Sequence, residues 1–261
     1  MKLPNIINNL THGQAFAVDQ VGLSGSSIYL FDDMVLKIQP ANEEAANELT
    51  MLQWLKGKIP VPNVIEHICD NGNSYILMCK CQGKMSCDEL YMTNPKRQAE
   101  LLAETLHRLW DISPENCPCE WPLERRLRMA EENIALGQVD MNDAQPDTFG
   151  NGGFRDPEEL LQWLYDHKPE EQQKLSHGDF CLPNVMLHEN GLSGLIDLGK
   201  AGISDPWQDI ALCFRSLSNN YGGVYNGRSY PGFSSEMLFD ALGISPDWDR
   251  IRYYILLDEL F

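Results

Sequence analysis

The chain has no apolar run approaching the roughly 18 to 20 residues that a membrane span requires. Its first stretch, MKLPNIINNLTHG, has no continuous apolar segment ahead of a small-residue cleavage site. Neither a membrane partner nor export is expected, and the expected location is the cytoplasm. Basic side chains are scarce: 20 Lys and Arg stand against 38 Asp and Glu, for a formal charge of −18. That balance argues against nucleic acid, whose recognition needs a basic footprint, and favours a polycationic partner. The eight cysteines have no C-x-x-C spacing, only Cys79-x-Cys81 and Cys117-Pro-Cys119, and the six histidines form no H-x-x-x-H pair. A zinc site therefore lacks its usual ligand spacing, and the thiols are expected to be reduced and packed as small apolar groups.

What is present is enough for a sizeable core, with 261 residues of which 43% are hydrophobic. Up to residue 82 the chain reads as strands interrupted by one helix. Strands are expected at 17–21, 26–31 and 35–39, and a hairpin pairs 64–69 with 74–80 across Asp70-Asn71-Gly72-Asn73. Residues 43–55 have helical spacing, with Ala45, Leu49, Leu52 and Leu55 on one stripe. After Gly83 the pattern becomes helical, beginning with 95–110. Asp156-Pro157-Glu158-Glu159 offers a cap, a proline at the first helical position and an acid two residues on, and Asp205-Pro206 and Ser245-Pro246 repeat the device. Residues 141–154 are turn-rich and without period, as a functional surface loop would be. The negative charge is concentrated beyond residue 82, where 30 acidic face 15 basic side chains.

The chemistry concentrates in SHGDFCLPNVMLHENGLSGLID, from Ser176 to Asp197. Asn190-Gly191 is a strong signal for a two-residue type I′ turn, and such a turn would set Asn184 directly opposite Asp197. Cross-strand neighbours share a face at about 4.5 to 5.5 Å, so an amide oxygen and a carboxylate could share one Mg²⁺. Phosphoryl transfer needs a group that orients the attacking hydroxyl and ligands for the cations that neutralise the phosphates. Asp179 would accept the hydroxyl proton, and Asn184 and Asp197 would hold the metal.

HGDFCLPN followed by IDLG resembles the catalytic and metal-binding segments of the protein-kinase-like fold, in the form carried by aminoglycoside phosphotransferases. The likeness runs through GKIPVP at 57–62, SDPWQDIA at 204–211 and YYILLDELF at the end of the chain, strings that resemble the subgroup acting on the 3′-hydroxyl of kanamycin-type drugs. It implies an α+β bilobal fold. A small antiparallel sheet with one helix would form a nucleotide-binding lobe at 1–82, and a larger, mainly helical lobe at 83–261 would carry catalysis and drug binding. His177 would be the family's structural histidine, and Leu198 stands where protein kinases have phenylalanine.

Lys37 on the third strand would pair with the phosphates and Glu48 on the following helix would hold it extended; alternation puts Val35 on the same face, beside the purine. Gly22-Leu23-Ser24-Gly25-Ser26-Ser27 is not G-x-G-x-x-G, yet Ser24 and the N–H groups after it resemble the family's nucleotide-positioning loop. The backbone of Cys79 and Cys81 would meet the purine edge, which leaves ATP or GTP as donor. On the drug side the resemblance implies Asp258, Glu259 and the carboxylate of Phe261 as ammonium partners, with Asp143 and Asp147 in a third wall. Arg215 matches a family position, or forms a structural ion pair. The expected protein is an aminoglycoside kinase using Mg²⁺ and a nucleotide, as a monomer or weak dimer. A kinase of another small hydroxylated metabolite and a nucleotide-binding pseudokinase remain the rival readings.

Overall fold

Short-range signals set most of the elements. The structure, a computed structural model, describes residues 3–12, 14–18, 26–142, 144–150, 152–188, 191–225 and 227–261. In chain order these form α1 (Asn5–Leu10), β1 (Ala17–Val18), β2 (Ser27–Leu30), β3 (Met34–Pro40), α2 (Glu43–Leu55), β4 (Val64–Asp70), β5 (Asn73–Cys79), β6 (Lys84–Met85), α3 (Glu89–Met92), α4 (Pro95–Trp110), α5 (Leu123–Ala135) and α6 (Pro157–Asp166). They are followed by β7 (Lys174–Ser176), a single 3-10 turn at Leu182–Asn184, β8 (Val185–His188), β9 (Gly191–Leu195), β10 (Gly202–Ser204), α7 (Pro206–Gly222), α8 (Glu236–Leu242) and α9 (Trp248–Asp258). Among the described residues no helix is long and apolar enough to cross a membrane.

The α2 helix begins where Asn42 accepts from the N–H of Ala45, and α4 begins where Asn94 accepts from Arg97 with Pro95 at its first position. Asp156 and Asp205 cap α6 and α7 as expected. Ser245-Pro246 does not start a helix. The cap of α9 is Asp247, whose carboxylate accepts from the N–H of Arg250, because an aspartate satisfies an orphan amide and a preceding proline cannot.

The first strands form one antiparallel sheet in the order β1-β2-β3-β5-β4. The tight turn between β4 and β5 works because Asn71 and Gly72 both adopt positive φ, at 50° and 77°. Alternation divides the sheet's two faces. Leu36, Ile38, Tyr75 and Leu77 pack with Ile7 and Phe31 on one side. Ile76 and Met78 turn the other way, onto Met51, Leu52 and Leu55 of α2, and this core continues into the helices that follow. Lys37 pairs with Ile76 in the ladder, so it too faces α2. The strand-rich part gives way to helices between Cys79 and Lys84.

The hairpin carrying the predicted site turns one residue earlier than its Asn-Gly signal indicates. His188 pairs with Gly191, where the signal would pair Glu189 with Leu192, and Glu189 and Asn190 lie outside the described residues. The ladder also slips: Met186 pairs with Gly194 but Leu187 with Leu192, which leaves Ser193 as an extra residue in β9. The hydroxyl of Ser193 donates to the carbonyl of Gln82 at 2.6 Å, a side-chain bond the bulge makes available. Asn184 is therefore not the cross-strand partner of Asp197. Its carbonyl accepts instead from the N–H of Ile196 at 3.0 Å, and Asp197 follows in a left-handed conformation with φ of 60°.

Candidate active site

The segment from His177 to Asn184 is irregular, and its amides are held from several sides. Asp209, fully buried one turn into α7, accepts the N–H of His177 at 2.8 Å and that of Gly178 at 2.9 Å. Burial pushes the Asp209 carboxyl up, while His177 and the two amides act in the opposite direction. Leu182 donates its N–H to the hydroxyl of Ser216 on α7, and its carbonyl accepts from Ser86. Gly178 has φ of 83°, and a Cβ there would lie 2.0 Å from the carbonyl oxygen of Lys200, so no other residue fits between the two segments. Asp209 carries no signal in the sequence beyond its place in SDPWQDIA, and its role was missed there.

His177 ties this segment to the residues before Asp197. Its Nε2 lies 2.9 Å from the carbonyl of Ile196, and its Nδ1 lies 3.3 Å from the N–H of Asp179. The two bonds together assign the tautomer with the proton on Nε2. The peptides flanking Ile196 are thus held by His177 on the carbonyl side and by Asn184 on the amide side.

Asp179 and Asn184 are in direct contact, the amide Nδ2 donating to the Asp179 carboxylate at Oδ2 and to its backbone carbonyl, both at 3.0 Å. Lys37 reaches in from β3. Its Nζ lies 2.8 Å from Oδ1 of Asp197, 3.0 Å from Oε1 of Glu48 and 2.8 Å from Oε2 of Glu48. Glu48 also accepts from Gln39 at 2.8 Å. Burial alone would favour a neutral lysine, but Glu48 and Asp197 outweigh it and hold the Lys37 pKa above its usual value. Burial likewise pushes the Asp197 carboxyl up, and Lys37 brings it below the ordinary aspartate range.

Two hard oxygen donors remain for a divalent cation. Asn184 spends its Nδ2 on Asp179, which leaves its amide oxygen for another partner, and Asp197 has one oxygen not taken by Lys37, on a side chain 40% exposed. One amide and one carboxylate suit Mg²⁺, which takes few protein oxygens and completes its shell with water and substrate phosphates. Among the described residues no group of three or more His, Cys, Asp and Glu forms a metal cluster.

The remaining predicted residues fall in three places. Val35 is half-buried against the larger core, and Cys79 and Cys81 follow at the end of β5. The N–H of Cys79 is donated to the carbonyl of Asn63 at 2.9 Å. Ser24 and Asp143 lie outside the described residues. Asp258 and Glu259 do not project freely: Arg215 on α7 bonds Asp258 and stands 3.6 Å from Glu259, whose other oxygen accepts from the N–H of Gln145. The Arg215 guanidinium, despite burial, draws the Asp258 carboxyl below the usual range. Asn133 fastens the carbonyl of Leu260, and the Nζ of Lys200 stands 5.0 Å from the ring centre of Phe261. Asp147 is exposed on the 141–154 loop. All eight thiols are free; Cys213 is fully buried and Cys87, Cys117 and Cys119 are half-buried against the larger core, as expected of packed apolar thiols, whereas Cys69 and Cys79 are exposed.

An antiparallel sheet whose lysine reaches a carboxylate on a helix-backed catalytic segment defines a kinase-like phosphotransferase. A family model described as the phosphotransferase enzyme family matches residues 8–254. The chain is 36% identical over 256 residues to an aminoglycoside 3′-phosphotransferase of Enterococcus faecalis, covering 93% of this chain and 92% of that one. A second such enzyme, from Staphylococcus aureus, is 35% identical with the same shares covered. Among solved structures, an aminoglycoside 3′-phosphotransferase of type VIII superposes with a TM-score of 0.80 at 25% identity, over 95% of this chain and 94% of that chain. The chain belongs to the aminoglycoside 3′-phosphotransferase family.

Proposed function

We propose that this enzyme transfers the γ-phosphoryl group of a nucleotide, ATP being the first choice, to the 3′-hydroxyl of kanamycin- and neomycin-type aminoglycosides, and so confers resistance to them. The observation that carries the reading is the convergence of Asp179, Asn184, Asp197 and Lys37, through bonds of 2.8 to 3.0 Å, on one seam between the sheet and the 177–197 segment. Lys37, kept charged and extended by Glu48, binds the donor's phosphates. Asp179 orients the acceptor hydroxyl and takes its proton as the new P–O bond forms and the bond to the departing nucleoside diphosphate breaks. Asn184 and Asp197 would hold Mg²⁺, which when bound supplies positive charge to the phosphate oxygens.

The two lobes, 1–82 and 83–261, would grip the nucleotide between them. The acceptor side suits a polyamine: Asp258 and Glu259 are fixed in position, and the chain carries −18 overall. Arg215 then serves as the resident counterion with which the drug's ammonium groups compete. Asp179→Ala should abolish ADP release with kanamycin while nucleotide affinity persists. A drug lacking the 3′-hydroxyl should not be phosphorylated, and normal turnover of it, or preference for choline or homoserine over every aminoglycoside, would defeat the assignment.

A further inference from the structure

Asp179 has a second side-chain donor that the reaction as described does not use. The thiol of Cys181 lies 2.9 Å from Oδ1, the carboxylate oxygen that Asn184 leaves open. The peptide N–H of Cys181 also donates to the Asp179 carbonyl at 2.9 Å, so backbone and side chain of one residue both close on Asp179. From the geometry we infer that Cys181 is a positioning residue for phosphoryl transfer: its thiol proton on Oδ1, opposite the Asn184 amide on Oδ2, fixes the plane of the Asp179 carboxylate toward the acceptor hydroxyl. The inference rests on the reading of Asp179 as the proton acceptor.

The physical need is specific. The terminal torsion of an aspartate is broad and nearly two-fold, so one donor leaves the carboxylate free to rock, whereas one donor on each oxygen defines its plane. A carboxylate offers about four lone-pair sites, so two donors leave room for the substrate's hydroxyl. A thiol is a weak donor. It orients Oδ1 while taking less of the negative charge that Asp179 needs to accept a proton than a hydroxyl or ammonium would.

The test is single-turnover phosphorylation of kanamycin by the full chain, with Cys181→Ala, Cys181→Val and Cys181→Ser beside Asp179→Asn. Loss of the donor in Cys181→Ala should slow the transfer step about tenfold, since small misplacements of a reacting group cost up to a hundredfold. The KM values for drug and nucleotide should stay within about twofold, because the interaction is needed in the transition state rather than in binding. Cys181→Val, which fills the space without a donor, should be as slow as Cys181→Ala, and Cys181→Ser should recover the rate to within about threefold of wild type. Wild-type rates in Cys181→Ala overturn the proposal. So does rescue by valine with none by serine, which would make the residue a packing element. Turnover surviving in Asp179→Asn would instead overturn the proton-acceptor reading, whatever the cysteine variants do.

Discussion

The ammonium of Lys37 lies 2.8 Å from the carboxylate of Asp197, a contact between residues 160 apart in sequence that joins the sheet to the catalytic segment. Asp197 holds its side of the contact in a left-handed backbone conformation, and Lys37 holds its own side against Glu48 on α2. Strain of this kind persists where surrounding structure over-determines it. Here the flanking peptides are fixed by His177 and Asn184.

Glu48→Gln keeps the shape of α2 but removes the charge that holds Lys37 extended. Lys37 then keeps Asp197 as its carboxylate partner, and on the proposed function the donor's phosphates would meet a lysine drawn toward Asp197. The KM for nucleotide should rise and kcat should fall, together lowering kcat/KM about ten- to a hundredfold. Steady-state ADP release over a nucleotide titration measures it, and an unchanged kcat/KM would show that Glu48 is only a buried counterion.

Asp209→Ala deprives the amide of His177 of its acceptor and leaves that of Gly178 with the Ser176 hydroxyl alone, in a site without solvent. Leaving one buried donor unpaired costs about 1 to 3 kcal/mol, which for a chain of this size lowers Tm by roughly 2 to 12 °C. Asp209→Asn retains one acceptor oxygen and should fall between the two. Thermal unfolding monitored by circular dichroism decides this, and equal Tm values for wild type and alanine variant would mean that other contacts fix the segment.

The pair Arg215–Asp258 gives a pH dependence of definite sign. The Asp258 carboxyl is depressed in the folded state, so its contribution is complete above the ordinary aspartate pKa of about 4 and is lost as pH falls through its lower folded value. Removing the cation in Arg215→Gln leaves burial as the dominant influence and raises that pKa. The variant then loses stability as pH rises above about 4. The gap in Tm between wild type and Arg215→Gln should therefore be widest near neutrality and narrow as pH approaches 4. A gap that stays constant from pH 7 to pH 4 would show that Arg215 acts by packing alone.

Much of the site was legible because its signals are local. HGDFCLPN and IDLG fix which side chains are available, and the alternation of β3 put Lys37 and Val35 on the face away from Leu36 and Ile38. The caps at Asp156 and Asp205 mark helix starts through bonds that span only two or three residues. The Asn-Gly signal misled for the same reason. It reports what a dipeptide tolerates, while the register of β8 and β9 is settled by the bulge at Ser193 and its bond to Gln82, 111 residues away. Neither Asp209 nor the thiol of Cys181 could be assigned before the fold, since an aspartate within a helix and a cysteine in a loop are chemically ordinary until their neighbours are known.

By itself, then, the sequence determined the helix at 43–55, the strands that flank it, the helix starts at Asp156 and Asp205, the face on which Lys37 stands and the stock of oxygen and nitrogen groups for the chemistry. These depend on backbone periodicity and on hydrogen bonds within a few residues. Tertiary structure alone decided that Asn184 bonds Asp179 and is not the cross-strand partner of Asp197, that Arg215 pairs with Asp258, and that Asp209 holds the segment that begins at His177. Each of those is a choice among many chemically equivalent partners, and only packing, which brings distant segments within 3 Å and shuts out water, makes the choice.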